Sequence, residues 1–155
     1  MQTLAEYSAF LADIREKTGL TMLVPDDDGL VSVTVDDKYN LNLQFVAASG
    51  KILCFVAVYA LPLTTPAEVY RRLLVAGLFG KETAGGYFSL EDASNTLLYN
   101  YLLDGDYCAK YPEEFVDTLE KIVQLCEQWA DLIETMLKAE DEVEPHKITG
   151  EQFFA

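Results

Sequence analysis

The chain has 155 residues, half of them apolar and 12% aromatic, which fits one domain with a proper core and excludes a disordered chain. A formal charge of −15 and a pI near 4.2 argue against nucleic acid or an anionic membrane as partner, since both repel a polyanion. The same charge permits an exposed apolar surface to stay soluble, and an acidic mimic of DNA remains open as a minor alternative.

Cys54, Cys108 and Cys126 are an odd number without Cys-x-x-Cys spacing, so neither a disulfide framework nor a zinc site is expected. They read as small, reduced, mostly buried hydrophobes. The opening Met1–Phe10 lacks the basic start and apolar run of a signal peptide. The longest apolar stretch, Ile52–Leu63, falls short of the roughly 18–20 residues of a membrane span and contains Pro62. A cytoplasmic protein is expected.

The elements follow in order. Thr3 and Glu6 have capping-box spacing, and Leu4, Tyr7, Leu11 and Ile14 recur at helical intervals with Phe10 beside them, predicting a helix over 3–18 closed by Gly19. The period then drops to two. Val31, Val33 and Val35, then Tyr39, Leu41, Leu43 and Phe45, alternate with polar residues around an Asp36-Asp37-Lys38 turn, an antiparallel hairpin with one wet face. Ile52–Leu61 is apolar on both faces, which marks a central strand or one whose second face meets a helix or another chain.

Thr65-Pro66-Ala67-Glu68 repeats the capping-box spacing and predicts a helix over 66–78 with Pro66 at its first position, ending near Gly77 and Gly80. Two short strands follow, 87–90 and 96–103. The last helix starts at Pro112 and carries Phe115, Leu119, Ile122, Cys126, Trp129, Ile133 and Met136 at spacings of 4 and 3, flanked by Val116, Val123, Ala130 and Leu137. Its other face is acidic. Such a stripe reads as a helix packed on its own sheet rather than a coiled coil. The order gives an α+β fold, α-β-β-β-α-β-β-α, with one twisted antiparallel sheet packed by helices. Residues 1–138 form the expected domain. Residues 139–155, with Phe153 and Phe154, read as a polar, loose tail.

Chemistry is hard to find. His146 is the single histidine and lies in that polar tail beside Glu144 and Pro145, a poor general base. Asp26-Asp27-Asp28-Gly29 invites a calcium reading, but position twelve of the loop would be Asp37 and the intervening valines read as strand. The Gly77–Gly80 and Gly85-Gly86 pairs fit neither a dinucleotide nor a phosphate loop. No catalytic residue, cofactor or metal is assigned.

Leu73-Leu74-Val75-Ala76-Gly77-Leu78-Phe79-Gly80, followed by Thr83-Ala84-Gly85-Gly86-Tyr87-Phe88-Ser89-Leu90, resembles the signature of class I type III secretion chaperones, the Tir-chaperone-like (CesT/SycE) family. The Val24–Gly29 segment and the hairpin after it are similar to that family's opening strands, and the likeness covers roughly residues 3–137. Gly77 stands where the family usually has Asn; Gly can adopt the same helix-ending backbone.

The resemblance implies a homodimer that binds the N-terminal segment of a secreted effector, largely extended and wrapped around the dimer, and keeps it soluble and fit for export without using ATP itself. The secretion-apparatus ATPase is a further implied partner. The second helix commonly forms the family's dimer interface, which assigns that role to Val69, Tyr70, Leu73, Leu74 and Leu78; the alternative is that they only cover their own sheet. Candidate effector-binding residues are Leu4, Tyr7, Phe10 and Leu11 on the first helix and Val31 and Val33 on the edge hairpin, each with ordinary core as the alternative. Rival readings are the same fold as an interaction or regulatory domain outside secretion, and an enzyme built from scattered acids and tyrosines.

Overall fold

The structure, a computed structural model, describes residues 1–142; His146, Phe153 and Phe154 lie outside the described residues. The elements are α1 (Leu4–Thr18), β1 (Leu30–Val35), β2 (Tyr39–Val46), β3 (Lys51–Ala60), α2 (Ala67–Ala76), a 3₁₀ turn (Leu78–Gly80), β4 (Tyr87–Glu91), β5 (Thr96–Asp104), α3 (Gly105–Lys110) and α4 (Pro112–Glu142). The five strands form one antiparallel sheet in the order β1-β2-β3-β5-β4. This is the expected α+β order, with one short helix added.

Side-chain alternation decides the layers. On β3, Ile52, Cys54 and Val56 are fully buried, and their cross-strand partners Phe45, Leu43 and Leu41 on β2 share that face. α4 lies over β3 and buries Phe115, Leu119, Ile122, Cys126, Trp129 and Ile133, the predicted stripe. α1 joins the same layer, with Tyr7 stacked on Phe45 (centroids 5.3 Å apart) and Phe10 edge-on to Phe115 (5.1 Å). The other row of β3, Leu53, Phe55 and Ala57, is only half-buried. β3 is therefore the central strand the double-sided pattern predicts.

α1 begins as expected: Thr3 accepts from the Glu6 amide, and Glu6 accepts from the amides of Gln2 and Thr3. Those amides hold the Glu6 carboxyl below the usual carboxylate range, that of Gln2 foremost. Gly19 closes the helix at φ 74°.

The start of α2 differs. Pro66 is the cap residue, in extended backbone (φ −62°, ψ 147°), and no side chain caps the helix. Thr65 precedes a proline, which pushes it out of helical backbone, and its hydroxyl donates to the Pro62 carbonyl at 2.6 Å instead. The end differs too. Gly77 stays right-handed (φ −71°) and the left-handed turn falls on Phe79 (φ 57°) and Gly80 (φ 66°).

α3 was not anticipated: Asp104 caps it by accepting from the Tyr107 amide at 2.9 Å. α4 runs on through Glu142, so residues 139–142 of the expected tail are helical. Asp26 accepts from the amides of Asp28 and Leu30, which makes the acidic run a turn leading into β1.

The three cysteines are free and buried. Burial pushes the thiols of Cys54 and Cys126 up to about 12, and that of Cys108 to about 11, from an ordinary 9.0. Three outcomes follow. Leu43→Ala, which empties a fully buried position, costs about 2–5 kcal/mol and Thr3→Ala about 1 kcal/mol in urea unfolding. At pH 8 the folded protein leaves a thiol reagent unreacted, whereas in denaturant all three cysteines react. Because the raised values favour bound protons in the folded state, the thiols' contribution to stability is full below about pH 9 and is lost as pH rises toward 12.

Candidate functional site

Among the described residues two apolar regions that stay uncovered stand out. The first lies along α2 and β4. α2 carries two apolar rows. Val69, Leu73 and Ala76 face inward and are buried, and Tyr70 is half-buried. Leu74 and Leu78 point out, 80% and 61% exposed, and Phe79 beside them is 86% exposed. Tyr87 and Leu90 extend the patch. A shallow pocket of about 270 Å³ lies between the helix and β4, walled by Tyr70, Leu74, Tyr87, Phe88 and Leu90 among others.

The loop that presents Phe79 is held rigidly. Thr83 is buried, its hydroxyl donates to the Gly86 carbonyl at 2.7 Å, and its own carbonyl accepts from the Tyr99 hydroxyl (2.7 Å) and the Gly86 amide (2.9 Å). A side chain at Gly86 would run into the Tyr99 ring and the Asn100 carbonyl, so this glycine is required by close approach. Trp129 of α4 donates to the Glu82 carbonyl at 3.1 Å, packs edge-on against Phe88, and lies under the Arg72 guanidinium. The Thr-Ala-Gly-Gly motif is thus a brace that fixes α2, β4 and α4 together.

The second region is a groove of about 410 Å³ between the edge strand β1 and α4. Val33, Val35 and Leu41 form its sheet wall, Val116, Leu119 and Val123 its helix wall, and Leu20, Met22 and Leu23 its end. Among the described residues β1 pairs only with β2, which leaves its outer backbone open there. Its six residues, LVSVTV, contain no charge and no proline, the devices that usually blunt an edge strand. On the far face Ser32 donates to Asn42 and Thr34 to Asn40, a polar ladder that ties β1 to β2.

The predicted residues divide unequally. Of the α2 set, Leu74 and Leu78 are on the open patch, Tyr70 is at its pocket wall, and Val69 and Leu73 are core side chains. Of the α1 and hairpin set, Tyr7, Leu11 and Val31 are fully buried, Phe10 nearly so, and Leu4 half-buried against the core. Val33 alone of that set lines the groove. Packing accounts for this: the stripe that marks α1 as amphipathic is consumed by Phe45 and Phe115. Of the groove residues on α4, Leu119 belongs to the predicted core stripe and Val116 and Val123 to its flanking row, and Phe79, although inside the motif that carries the resemblance, has no predicted role.

Glu91, like Glu6, has its carboxyl held low, here by the Ser94 hydroxyl and the amides of Ser94 and Ala93, the opposite of what a proton-donating acid needs. The buried thiols are protonated at neutral pH. Among the described residues no group of three or more His, Cys, Asp or Glu is placed to hold a metal, and no helix is long and apolar enough to cross a membrane.

Solved structures share this fold. The ExsC–ExsE complex structure aligns with a TM-score of 0.71 at 18% identity, over 86% of this chain and 97% of that one. The HopA1–SchA chaperone–effector complex aligns at 0.60 with 19% identity, over 81% and 90%. The Yersinia pestis type III secretion chaperone SycH, in complex with a stable fragment of YscM2, aligns at 0.55 with 19% identity, over 77% and 98%. Those likenesses are of fold. No curated protein sequence matches significantly. The model of the Tir chaperone protein (CesT) family matches residues 9–130, most of the chain and both apolar regions, and the protein belongs to that family.

Proposed function

We propose that the protein is a cytoplasmic chaperone of type III secretion that holds the N-terminal segment of a secreted effector soluble and export-competent, acting by binding and not by catalysis. The observation that carries this is an unguarded edge strand lying beside an apolar groove. A largely extended segment can hydrogen-bond to the outer backbone of β1 and drop alternate side chains toward Val33, Leu119 and Val123. Backbone pairing asks little of the segment's sequence, and the groove supplies the selection.

The α2–β4 patch is the second half of the proposal: a homodimer interface centred on Leu74, Leu78 and Phe79, with Tyr70, Tyr87 and Leu90 around it. Removing these from water is the driving force, at about 25 cal/mol for each Å² of apolar surface. The charge of −15 keeps the remaining surface from sticking. Val69 and Leu73 contribute from below, by holding α2 to its own sheet.

Two measurements separate the surfaces. Leu74→Asp with Leu78→Asp places charge at exposed positions, so the subunit stays folded while the native mass falls from two chains to one. An unaltered mass rejects the interface. Val123→Asp, in the groove, leaves the mass of two chains but abolishes stoichiometric co-purification with a secreted protein co-expressed from the same genome. Persistence of that complex would place the effector elsewhere.

A further inference from the structure

Phe79 gives its own subunit almost no burial. It is the most exposed aromatic side chain among the described residues. Its backbone is left-handed (φ 57°), a conformation that crowds any L-residue with a side chain and that glycine takes freely. The turn is also fixed in place. The Gly80 amide donates to the Gly77 carbonyl at 3.1 Å, and the Gly85 amide to the Gly80 carbonyl at 3.0 Å. A braced turn that holds a strained residue's apolar ring in water is disfavoured twice over in a lone subunit.

The pocket between α2 and β4 lies beside that turn. Gly77, two residues before Phe79, lines it, yet Phe79 does not. Its walls include Tyr70, Leu74, Phe88, Leu90 and Leu97, and no described lining residue is charged. At about 270 Å³ it has room for a phenyl ring, since a cavity of roughly 150 Å³ already takes benzene. A projecting ring and an unfilled pocket side by side are the two halves of a self-complementary contact. A twofold axis between two copies sets each ring opposite the other copy's pocket. Charge points to a second copy as well. Two chains of charge −15 repel each other, but residues 61–91, from before α2 to the end of β4, hold Glu68, Glu82 and Glu91 against Arg71, Arg72 and Lys81. This stretch has no net charge, so two such faces meet without the repulsion that the rest of the chain would impose.

Resting on the homodimer reading, we propose that Phe79 of each subunit inserts into the α2–β4 pocket of the second copy. The interface is then a reciprocal ring-in-pocket lock, and each pocket is incomplete without a residue from the other chain. The left-handed turn has a function in this arrangement: it aims the ring away from its own pocket and toward the partner's. Because the turn is already braced, little ordering is left to be done on association.

Sedimentation and native mass spectrometry of the full-length protein test the lock. Phe79→Ala is expected to raise the dimer dissociation constant at least about a hundredfold, because two anchoring rings are lost from each dimer. Phe79→Gly, which also relaxes the turn, weakens the dimer as much, so that the loss follows the ring and not a distorted backbone. Leu90→Trp plugs the pocket from a half-exposed position and gives a folded monomer too. Mixing Phe79→Ala with Leu90→Trp, one of them isotopically labelled, separates a lock from a general apolar contact. The first variant supplies an open pocket and the second a ring, so a one-to-one mixed pair forms where neither variant pairs with itself. An unchanged constant for Phe79→Ala, or the absence of the mixed pair, overturns the lock, and a wild-type dimer then leaves the homodimer reading standing. A wild-type chain that sediments as a monomer at every concentration overturns both.

Discussion

The seating of one long helix on one face of the sheet governs the rest of the molecule. α4 places Phe115, Leu119, Ile122, Cys126, Trp129 and Ile133 against the inward row of β3 and its neighbours, and α1 fills the space beside it through Tyr7 and Phe10. With that layer complete, the interior of a small domain is spent. What is left apolar has no place to go inside: the outer row of α2, the exposed Phe79, and the channel between β1 and the first half of α4. A surface of that kind persists in a monomer only when other polypeptide covers it or when strong charge opposes self-association. Both conditions are met in the proposed account.

The brace around Thr83 connects the family motif to this arrangement. Its hydrogen bonds to Gly86 and Tyr99, and the Trp129 bond to Glu82, are internal to the subunit. They touch no partner. Their effect is to hold α2, β4 and α4 in one rigid relation, so that Leu74, Leu78 and Phe79 are presented together. A motif can therefore mark a binding family while being structural in its own bonds.

Much of the fold was legible because local signals and burial agreed. The capping box at Thr3, the left-handed Gly19, the period-two hairpin and the period-3.6 stripe of α4 each depend on neighbours in sequence. Where a local signal met a competing one, reading by pattern failed: Thr65 has capping spacing, but the following proline decides its backbone. α3 was missed because six residues carry too little periodicity to stand out, and because its cap, Asp104, reads as the end of a strand. The site was less legible than the fold. An apolar stripe has the same appearance whether it meets a sheet or another chain, so Tyr7, Phe10 and Leu11 could not be told from surface residues, nor Leu74 from Leu73. Only the rotation of each helix against the sheet separates them, and that is a long-range property.

The central claim is that the outer backbone of β1 is completed by a partner strand. Amide hydrogen exchange on the free protein and on its complex with a co-purifying secreted protein measures this directly. The account predicts that amides of Leu30–Val35 gain strong protection on loading, while those of α2 and β4 are equally protected in both states. Unchanged exchange along β1 in a stoichiometric complex would contradict it.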